Sequence, residues 1–113
     1  MFVQHYIDVK TGAADIAVDS TLVKASPHKL VAALFERTKT DAIDLFLEVV
    51  GGSRVFVIDS ITTFTGTSYC FPNTRVPEPI AVAPGFYFRL RTTGTVALDE
   101  NQSAVLFVAE TTY

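Results

Sequence analysis

Apolar and polar positions alternate along most of the chain, and no long segment keeps the 3.6-residue period of a helix. The clearest example is the segment 42–49, in which every odd-numbered position from Ile43 to Val49 is aliphatic. A period of two predicts a strand with one buried face. Gly51-Gly52-Ser53 follows, and a second apolar run occupies 54–58. The short separation predicts that these two strands form a β-hairpin.

The segment 28–37 is ambiguous, because its apolar residues would also fit one face of a helix. A short polar stretch, 38–41, joins it to the strand at 42–49. Polar stretches of this length connect antiparallel strands. We therefore predict a strand at 28–37 as well.

Turn residues divide the rest of the chain into further short strands. Pro84-Gly85 has the residues of a type II turn, and an alternating strand follows at 86–91. The other predicted strands are 14–19, 61–64, 67–71, 80–83, 95–98 and 104–111, with a polar loop at 99–103. About eight to nine short strands separated by turns predict an all-β fold, a single antiparallel β-sandwich of jelly-roll type.

The length of 113 residues fits one domain. We divide it into residues 1–12, an N-terminal arm or first edge strand, and residues 13–113, the β-sandwich domain. Four bulky apolar residues stand in the first part and are candidate interface residues: Phe2, Val3, Tyr6 and Ile7. They either pair within the domain or dock on a neighbouring subunit. If they form an arm, deletion of residues 1–10 should leave a folded domain that no longer assembles.

Charge and cysteine content exclude several classes of function. The net charge of −3 lacks the basic footprint of a nucleic-acid-binding protein, so we expect no nucleic-acid partner. Cys70 is the single cysteine, which excludes an intramolecular disulfide and a multi-thiolate zinc site. No apolar stretch reaches the roughly 18 residues of a spanning helix, and the first residues lack a signal peptide. We expect no membrane partner.

The raw material for catalysis is limited to His5, His28, Cys70 and the carboxylates. A Gly-rich phosphate loop, a His-x-x-x-His pair and a Gly-x-Ser-x-Gly turn are all missing from the sequence. Cys70 stands between Tyr69 and Phe71 in a predicted strand, which favours a small buried residue over a nucleophile. We therefore expect neither enzymatic activity nor a cofactor.

Two carboxylates, Asp44 and Glu48, share one face of the predicted strand at 42–49. A hard-cation site needs more oxygen ligands and a loop that wraps them. We expect a solvated outer face rather than a metal site.

A second candidate interface lies on the predicted strand at 86–91, where Tyr87, Arg89 and Arg91 share the face opposite Phe88 and Leu90. An arginine pair beside an aromatic ring suits an acidic protein surface, which it binds through forked hydrogen bonds and stacking. The alternative is an ordinary solvated face.

The whole pattern resembles small virion proteins of tailed bacteriophages. The resemblance rests on the apolar N-terminal segment, the strand Lys29–Glu36, the strand that ends at Gly51-Gly52, the Pro-Ile-x-Val-x-Pro-Gly step at Pro79–Gly85 and the closing strand. It implies a single β-sandwich without catalysis, an oligomeric protein that decorates or cements the head or occupies a neck or tail position. No functional residue carries over, because the pattern marks positions in the fold.

The function that we expect is a structural one, capsid decoration or cement that stabilises the head lattice through protein–protein contacts. The partners would be the major capsid protein or other virion proteins, with a homo-oligomer as the binding unit and the virion, assembled in the host cytoplasm, as its location. The alternative is a carbohydrate- or receptor-binding module of a tail or fibre. Such sites use exposed aromatic platforms; the chain contains no Trp, though Tyr69 and Tyr87 could serve.

Overall fold

The strands predicted from alternation form two antiparallel sheets in the computed structural model, which describes residues 3–111. Within these residues the strands are β1 (Val3–Thr11), β2 (Ala17–Asp19), β3 (His28–Arg37), β4 (Ile43–Gly51), β5 (Arg54–Phe64), β6 (Ser68–Phe71), β7 (Ile80–Val82), β8 (Phe86–Thr93) and β9 (Asn101–Glu110). A short 3₁₀ helix, Thr21–Val23, follows β2.

The first sheet has the strand order β1-β9-β3-β6, with β7 also paired to β3, and the second sheet has the order β2-β8-β4-β5. The chain changes sheet at nearly every connection, as in a jelly roll, in which β6 and β7 together occupy one strand position. This architecture confirms the predicted fold class. It also leaves β1 and β5 as the longest edge strands of the two sheets.

The core lies between the two inner faces and is supplied mainly by the central strands. Its largest fully buried apolar side chains include Phe35, Phe71, Phe88, Leu45, Leu47, Leu90 and Leu106. Because successive strand residues point to opposite faces, each buried residue leaves its neighbours on an outer face. The outer faces therefore show where the sandwich presents polar side chains to its surroundings and where it exposes apolar ones.

Two turns form as predicted. In the step before β8, Gly85 has a φ of 95° and the Phe86 N–H donates to the Ala83 carbonyl at 3.3 Å, which is a type II turn. In the β4–β5 hairpin, Gly51 pairs with Arg54 across the turn. A Cβ atom at Gly51 would lie 2.2 Å from the Phe86 ring, so only glycine fits beneath that ring.

Three predicted boundaries are wrong. The segment 61–64 is not a separate strand but the end of β5, which stays paired to β4 through two register shifts. Residues 95–98 form no strand, since Val96 and Leu98 are 65% and 86% exposed and do not contribute to the core. β9 begins at Asn101, inside the predicted polar loop 99–103. The turn ends before Asn101, although the polar residues continue to Ser103.

The N-terminal segment is an edge strand of the same chain. β1 pairs with β9 at nine positions, from Val3 opposite Ala109 to Thr11 opposite Asn101. Residues 3–11 thus take the edge-strand form of the two alternatives in this chain. Phe2 lies outside the described residues.

This pairing reverses the expected effect of truncation. Deleting residues 1–10 should lower the free energy of unfolding by about 3 kcal/mol, because it removes a hydrogen-bonded strand and the partly buried Tyr6 ring. It also uncovers the edge of β9, which should promote aggregation. Urea titration and light scattering measure the two effects, with Val9→Thr as a control that keeps the backbone pairing. A truncated monomer with an unchanged urea midpoint would contradict the prediction.

Candidate functional site

The outer face of the first sheet is apolar where an outer face is ordinarily polar. It carries a set of side chains that we call the apolar face: Val3, Ile7, Val9, Leu34, Val105 and Phe107. Ile7 and Val9 are 59% and 63% exposed, and Leu34 is 39% exposed. Contiguous exposed apolar surface is typical of interaction sites, so the apolar face is a candidate site.

The register shows that these side chains are neighbours rather than scattered residues. Val105 lies opposite Ile7 on one side and opposite Leu34 on the other. Phe107 lies one step along β9, opposite His5, and the centroids of the two rings are 6.1 Å apart. Side chains directly opposite on antiparallel strands have Cβ atoms about 5 Å apart. The apolar face is therefore continuous across three strands.

β1 turns its apolar residues outward because its other face is bound to the sandwich through polar groups. Tyr6 packs against the core and donates a hydrogen bond to Gln4 at 2.8 Å. The Asp8 carboxylate accepts a hydrogen bond from the Ala17 N–H at 3.2 Å and lies 3.9 Å from Lys10 Nζ. A one-residue slip of β1 would exchange the two faces and lose these contacts.

The predicted N-terminal interface residues are thus divided between two faces. Val3 and Ile7 belong to the apolar face, whereas Tyr6 points towards the core. The residues that sequence reasoning missed come from β9 and β3. The sequence signal for the β9 residues was the unbroken apolar run at 104–109. A strand that is apolar on both faces is expected to pack against other groups on both faces.

The second predicted interface carries an ion-paired cluster on the outer face of the second sheet. Arg89 Nε and Arg91 Nε lie 2.9 and 2.8 Å from Oε1 of Glu48, and Arg91 Nη2 lies 3.1 Å from Oε2. The Arg91 guanidinium also stacks over the Phe46 ring at 4.4 Å. The Glu48 side chain is only 1% exposed. The prediction of a solvated carboxylate at this position is therefore wrong.

The electrostatics of this cluster follow from its contacts. Burial alone would raise the pKa of Glu48, but the hydrogen bonds from Arg91 and Arg89 outweigh it and the pKa is lowered. The hydrogen bond to Glu48 raises the pKa of Arg91. Two guanidinium groups around one carboxylate leave one net positive charge. Because Arg91 binds Glu48 through two nitrogens and Arg89 through one, an acidic partner would meet a partly satisfied pair, and the interface role of Tyr87, Arg89 and Arg91 stays a prediction.

A second buried carboxylate joins the two sheets along one side of the sandwich. Asp59 of β5 accepts hydrogen bonds from the Tyr69 hydroxyl of β6 at 2.7 Å and from Asn73 Nδ2 at 3.0 Å. Arg75 binds it in a fork, with Nε at 3.0 Å and Nη2 at 3.1 Å. Burial would raise the pKa of Asp59, but these hydrogen bonds outweigh it and the pKa is lowered. The network holds the two sheet edges together.

One serine–histidine pair lies within the hydrogen-bond distance that a catalytic pair needs, but solvent and substrate do not reach it. Ser20 Oγ lies 2.9 Å from His28 Nε2, and His28 Nδ1 lies 3.0 Å from the Ser26 carbonyl. That carbonyl can only accept, so in the neutral ring Nδ1 donates and Nε2 accepts from the serine. Ser20 and His28 are both 0% exposed. No substrate reaches them, and the pair serves to hold the Phe88 N–H, which donates to Ser20 Oγ at 2.8 Å.

Cys70 is exposed, which makes the prediction of a buried thiol wrong. Tyr69 and Phe71 occupy the inward positions of β6, so alternation turns Cys70 to the outer face of the first sheet, opposite Leu34. His28 faces inward six positions further along β3, about 20 Å away. The arrangement provides no imidazole partner from His28 for the thiol.

We expect Cys70 to react with Ellman's reagent in the folded protein. Because the side chain contributes little packing, Cys70→Ala should change the free energy of unfolding by less than about 0.5 kcal/mol. Thiol titration with and without urea tests the first point, and urea midpoints test the second. A thiol that becomes reactive only in denaturant would show that this face is covered.

An open cleft of about 450 Å³ runs between the edge strands β1 and β2. Its lining includes His5, Tyr6, Asp8, Asp19 and Thr21. Within residues 3–111, no three His, Cys, Asp or Glu side chains gather into a metal-binding group. The same part of the chain contains no helix long and apolar enough to cross a membrane.

Comparisons with known proteins extend to the fold alone. No protein-family model matches the chain, and no curated protein matches it. A solved structure of Bacillus endospore appendages, described as a family of disulfide-linked pili, superposes with a TM-score of 0.54 at 12% identity, covering 98% of this chain and 88% of that one. The Yersinia pseudotuberculosis-derived mitogen superposes with a TM-score of 0.45 at 10% identity, covering 99% of this chain and 89% of that one. The chain therefore shares its β-sandwich architecture with the pilus protein.

Proposed function

We propose that the protein is a non-enzymatic structural protein of a bacteriophage particle, a decoration or cement protein that binds the head lattice. The observation that carries this proposal is the apolar face, which is continuous across β1, β9 and β3. The major capsid protein or another virion protein would cover it. The setting in a phage particle rests on the resemblance of the sequence pattern to small virion proteins.

The size of the apolar face suits a stable attachment. Its six side chains are already partly buried in the free chain, so burying the rest of their surface would contribute roughly 5 to 9 kcal/mol before the losses of association are subtracted. Those losses amount to roughly 4 to 15 kcal/mol, so a single copy binds weakly and an oligomer of several copies binds tightly. A subunit that binds only the assembled lattice stabilises the lattice by its own binding free energy.

The polar groups of the sandwich support a role without catalysis. Glu48 and Asp59 are held by arginine side chains, and the Ser20–His28 pair is closed to solvent. Each of these groups is bound by other groups of the sandwich. The side chains that remain available to bind a partner therefore lie on the outer surfaces.

Electron microscopy of the native particle tests the proposal directly. We expect density for this sandwich on the particle in fixed stoichiometry, with the first sheet against the lattice. Particles that lack the protein at every position would overturn the assignment. Density in which the second sheet faces the lattice would keep the setting but reject the apolar face as the contact.

Self-assembly into a filament is the alternative to attachment to a phage particle. The fold is shared with a protein of disulfide-linked pili, and Cys70 is an exposed thiol. Electrophoresis without reductant, together with microscopy of the purified chain, would reveal disulfide-linked fibres. Fibres formed by the protein alone would replace the phage setting by a self-assembling one.

The cleft between β1 and β2 favours a second candidate, a carbohydrate- or receptor-binding module. Tyr6 offers an aromatic surface there, and Asp8 and Asp19 offer hydrogen-bond acceptors of the kind that bind sugar hydroxyls. A glycan array with the purified protein tests it. Binding that is lost in Asp19→Ala but kept when the apolar face is altered would favour this alternative.

A further inference from the structure

Four buried side-chain oxygen atoms at one end of the sandwich lack a hydrogen-bond partner, and within residues 3–111 they are the only buried side-chain N or O atoms that do. They are both carboxylate oxygens of Glu100, Oε1 of Gln102 and Oγ1 of Thr95. Glu100 and Gln102 are 1% and 2% exposed. A buried carboxylate without a partner is strongly unfavourable, so a group from outside these residues is needed to satisfy it.

Each of the three residues is hydrogen-bonded to one segment, residues 12–15. Glu100 and Gln102 point inward from the start of β9, on either side of the exposed Asn101. The segment is bonded to all three residues through Gly12 N–H to Glu100 O at 2.9 Å, Gln102 Nε2 to Ala14 O at 2.6 Å and Thr95 N–H to Asp15 Oδ1 at 3.0 Å.

The orientation of the Gln102 amide is set by its neighbours. The Ala14 carbonyl can only accept, so it fixes Nε2 on its own side and leaves Oε1 aimed away from it. The oxygen that remains is a neutral acceptor without a donor, beside a carboxylate that also lacks one.

The cations on the adjoining part of the chain are already engaged. Arg37, opposite Gln102 in the sheet, donates to three backbone carbonyls at 2.7 to 2.9 Å. Lys39 Nζ binds Asp99 at 2.7 Å. The pKa of Lys39 is raised mainly by its hydrogen bond to Asp99, with a smaller contribution from the charge of Glu100, and neither cation hydrogen-bonds the Glu100 carboxylate.

We propose that Glu100, Gln102 and Thr95 are ligands of a bound Ca²⁺ ion. A bidentate carboxylate, an amide oxygen and a hydroxyl are the hard oxygen ligands that Ca²⁺ takes, and its irregular coordination of six to eight oxygens leaves places for backbone carbonyls and water. The Asp15 carboxylate, bonded to the Thr95 N–H, adds a second negative charge beside the site. Only one of the three proposed ligands is acidic, so the site is not a cluster of His, Cys, Asp and Glu side chains.

Calorimetric titration and thermal melts of the purified chain, freed of metal with EDTA, test the proposal. We expect Ca²⁺ to bind at one site and to raise the Tm by about 10 °C at a concentration one hundred times the Kd. Mg²⁺, which demands a near-ideal octahedron, should raise it less. Glu100→Gln should weaken Ca²⁺ binding at least tenfold, whereas Glu110→Gln, an exposed carboxylate on the same strand, should not.

The outcomes separate cleanly. If Ca²⁺ neither binds nor shifts the Tm of the wild-type chain up to about 10 mM, above the range of weak extracellular modules, the site is rejected. An equal shift in Glu100→Gln and wild type also rejects it. If Glu100→Gln does not fold, Thr95→Val keeps the carboxylate and should still weaken Ca²⁺ binding. None of these measurements involves a particle, so they are independent of the proposed function.

Discussion

Replacing Ile7 and Leu34 together by glutamate is expected to weaken binding to the assembly at least 100-fold while the sandwich stays folded. The two side chains flank Val105 at the centre of the apolar face. Because the two side chains are 59% and 39% exposed, burying the rest of their surface contributes about 1.5 to 3 kcal/mol to binding, and the introduced carboxylates would in addition have to be desolvated without partners. Because both positions are exposed in the free chain, the free energy of unfolding should fall by no more than about 1 kcal/mol.

Co-sedimentation with purified particles measures this loss, and the urea midpoint reports on folding. Leu98→Glu is the matched control, since Leu98 is 86% exposed on a loop away from the apolar face. If the double variant binds as tightly as wild type and Leu98→Glu, the apolar face is not the contact surface. If Tyr87→Ala weakens attachment and the double variant does not, the second sheet provides the contact.

Among single substitutions, removing the buried carboxylate of Glu48 should have the largest effect on stability. Glu48→Ala leaves Arg89 and Arg91 close together with no anion between them. Breaking a fully buried pair costs about 3 to 5 kcal/mol, but these arginine side chains are 27% and 31% exposed, so water offsets part of it. We expect a loss of about 2 kcal/mol. Glu36→Ala, an exposed carboxylate on β3, is the control and should cost less than about 0.5 kcal/mol.

The same contacts make the fold acid-sensitive. The pKa values of Glu48 and Asp59 are lowered in the folded state, so their contribution to stability is complete above the pKa values of the unfolded chain, about 4.3 and 3.9. It is lost as the pH falls through the lower folded values. Urea titrations at pH 7 and pH 3 should show this loss, and Glu48→Ala should show a smaller one. An equal pH dependence in both proteins would mean that Glu48 is not the titrating group.

Local chemistry was enough to predict the hairpin at Gly51-Gly52 and the turn at Pro84-Gly85, because each depends on residues adjacent in the chain. The same reasoning failed at 95–98, whose alternation is real but finds no neighbouring strand within the described residues. The prediction of a buried Cys70 failed for a related reason. Alternation within β6 buries Tyr69 and Phe71, and the same alternation exposes Cys70.

The functional surfaces depend on pairing between distant strands, which a single sequence does not reveal. Arg91 was placed on an outer face, but its partner Glu48 stands 43 residues earlier on the neighbouring strand. The apolar face requires the register of β1 against β9, nearly the full length of the chain apart. The cation ligands converge for the same reason, since residues 12–15 meet β9 only after the sandwich closes.

The antiparallel pairing of β1 with β9 also decides how the molecule bears load. Val3 and Ala109 stand opposite each other, so the outer ends of both strands lie at one corner of the sandwich. Tension applied between those ends acts along the interstrand hydrogen bonds and breaks them one pair at a time, as a zipper opens. A load distributed over the broad surface of the first sheet is shared by the whole ladder. A protein fused to the outer end of β1 or β9 would therefore apply its load in the direction in which this pair of strands separates most easily.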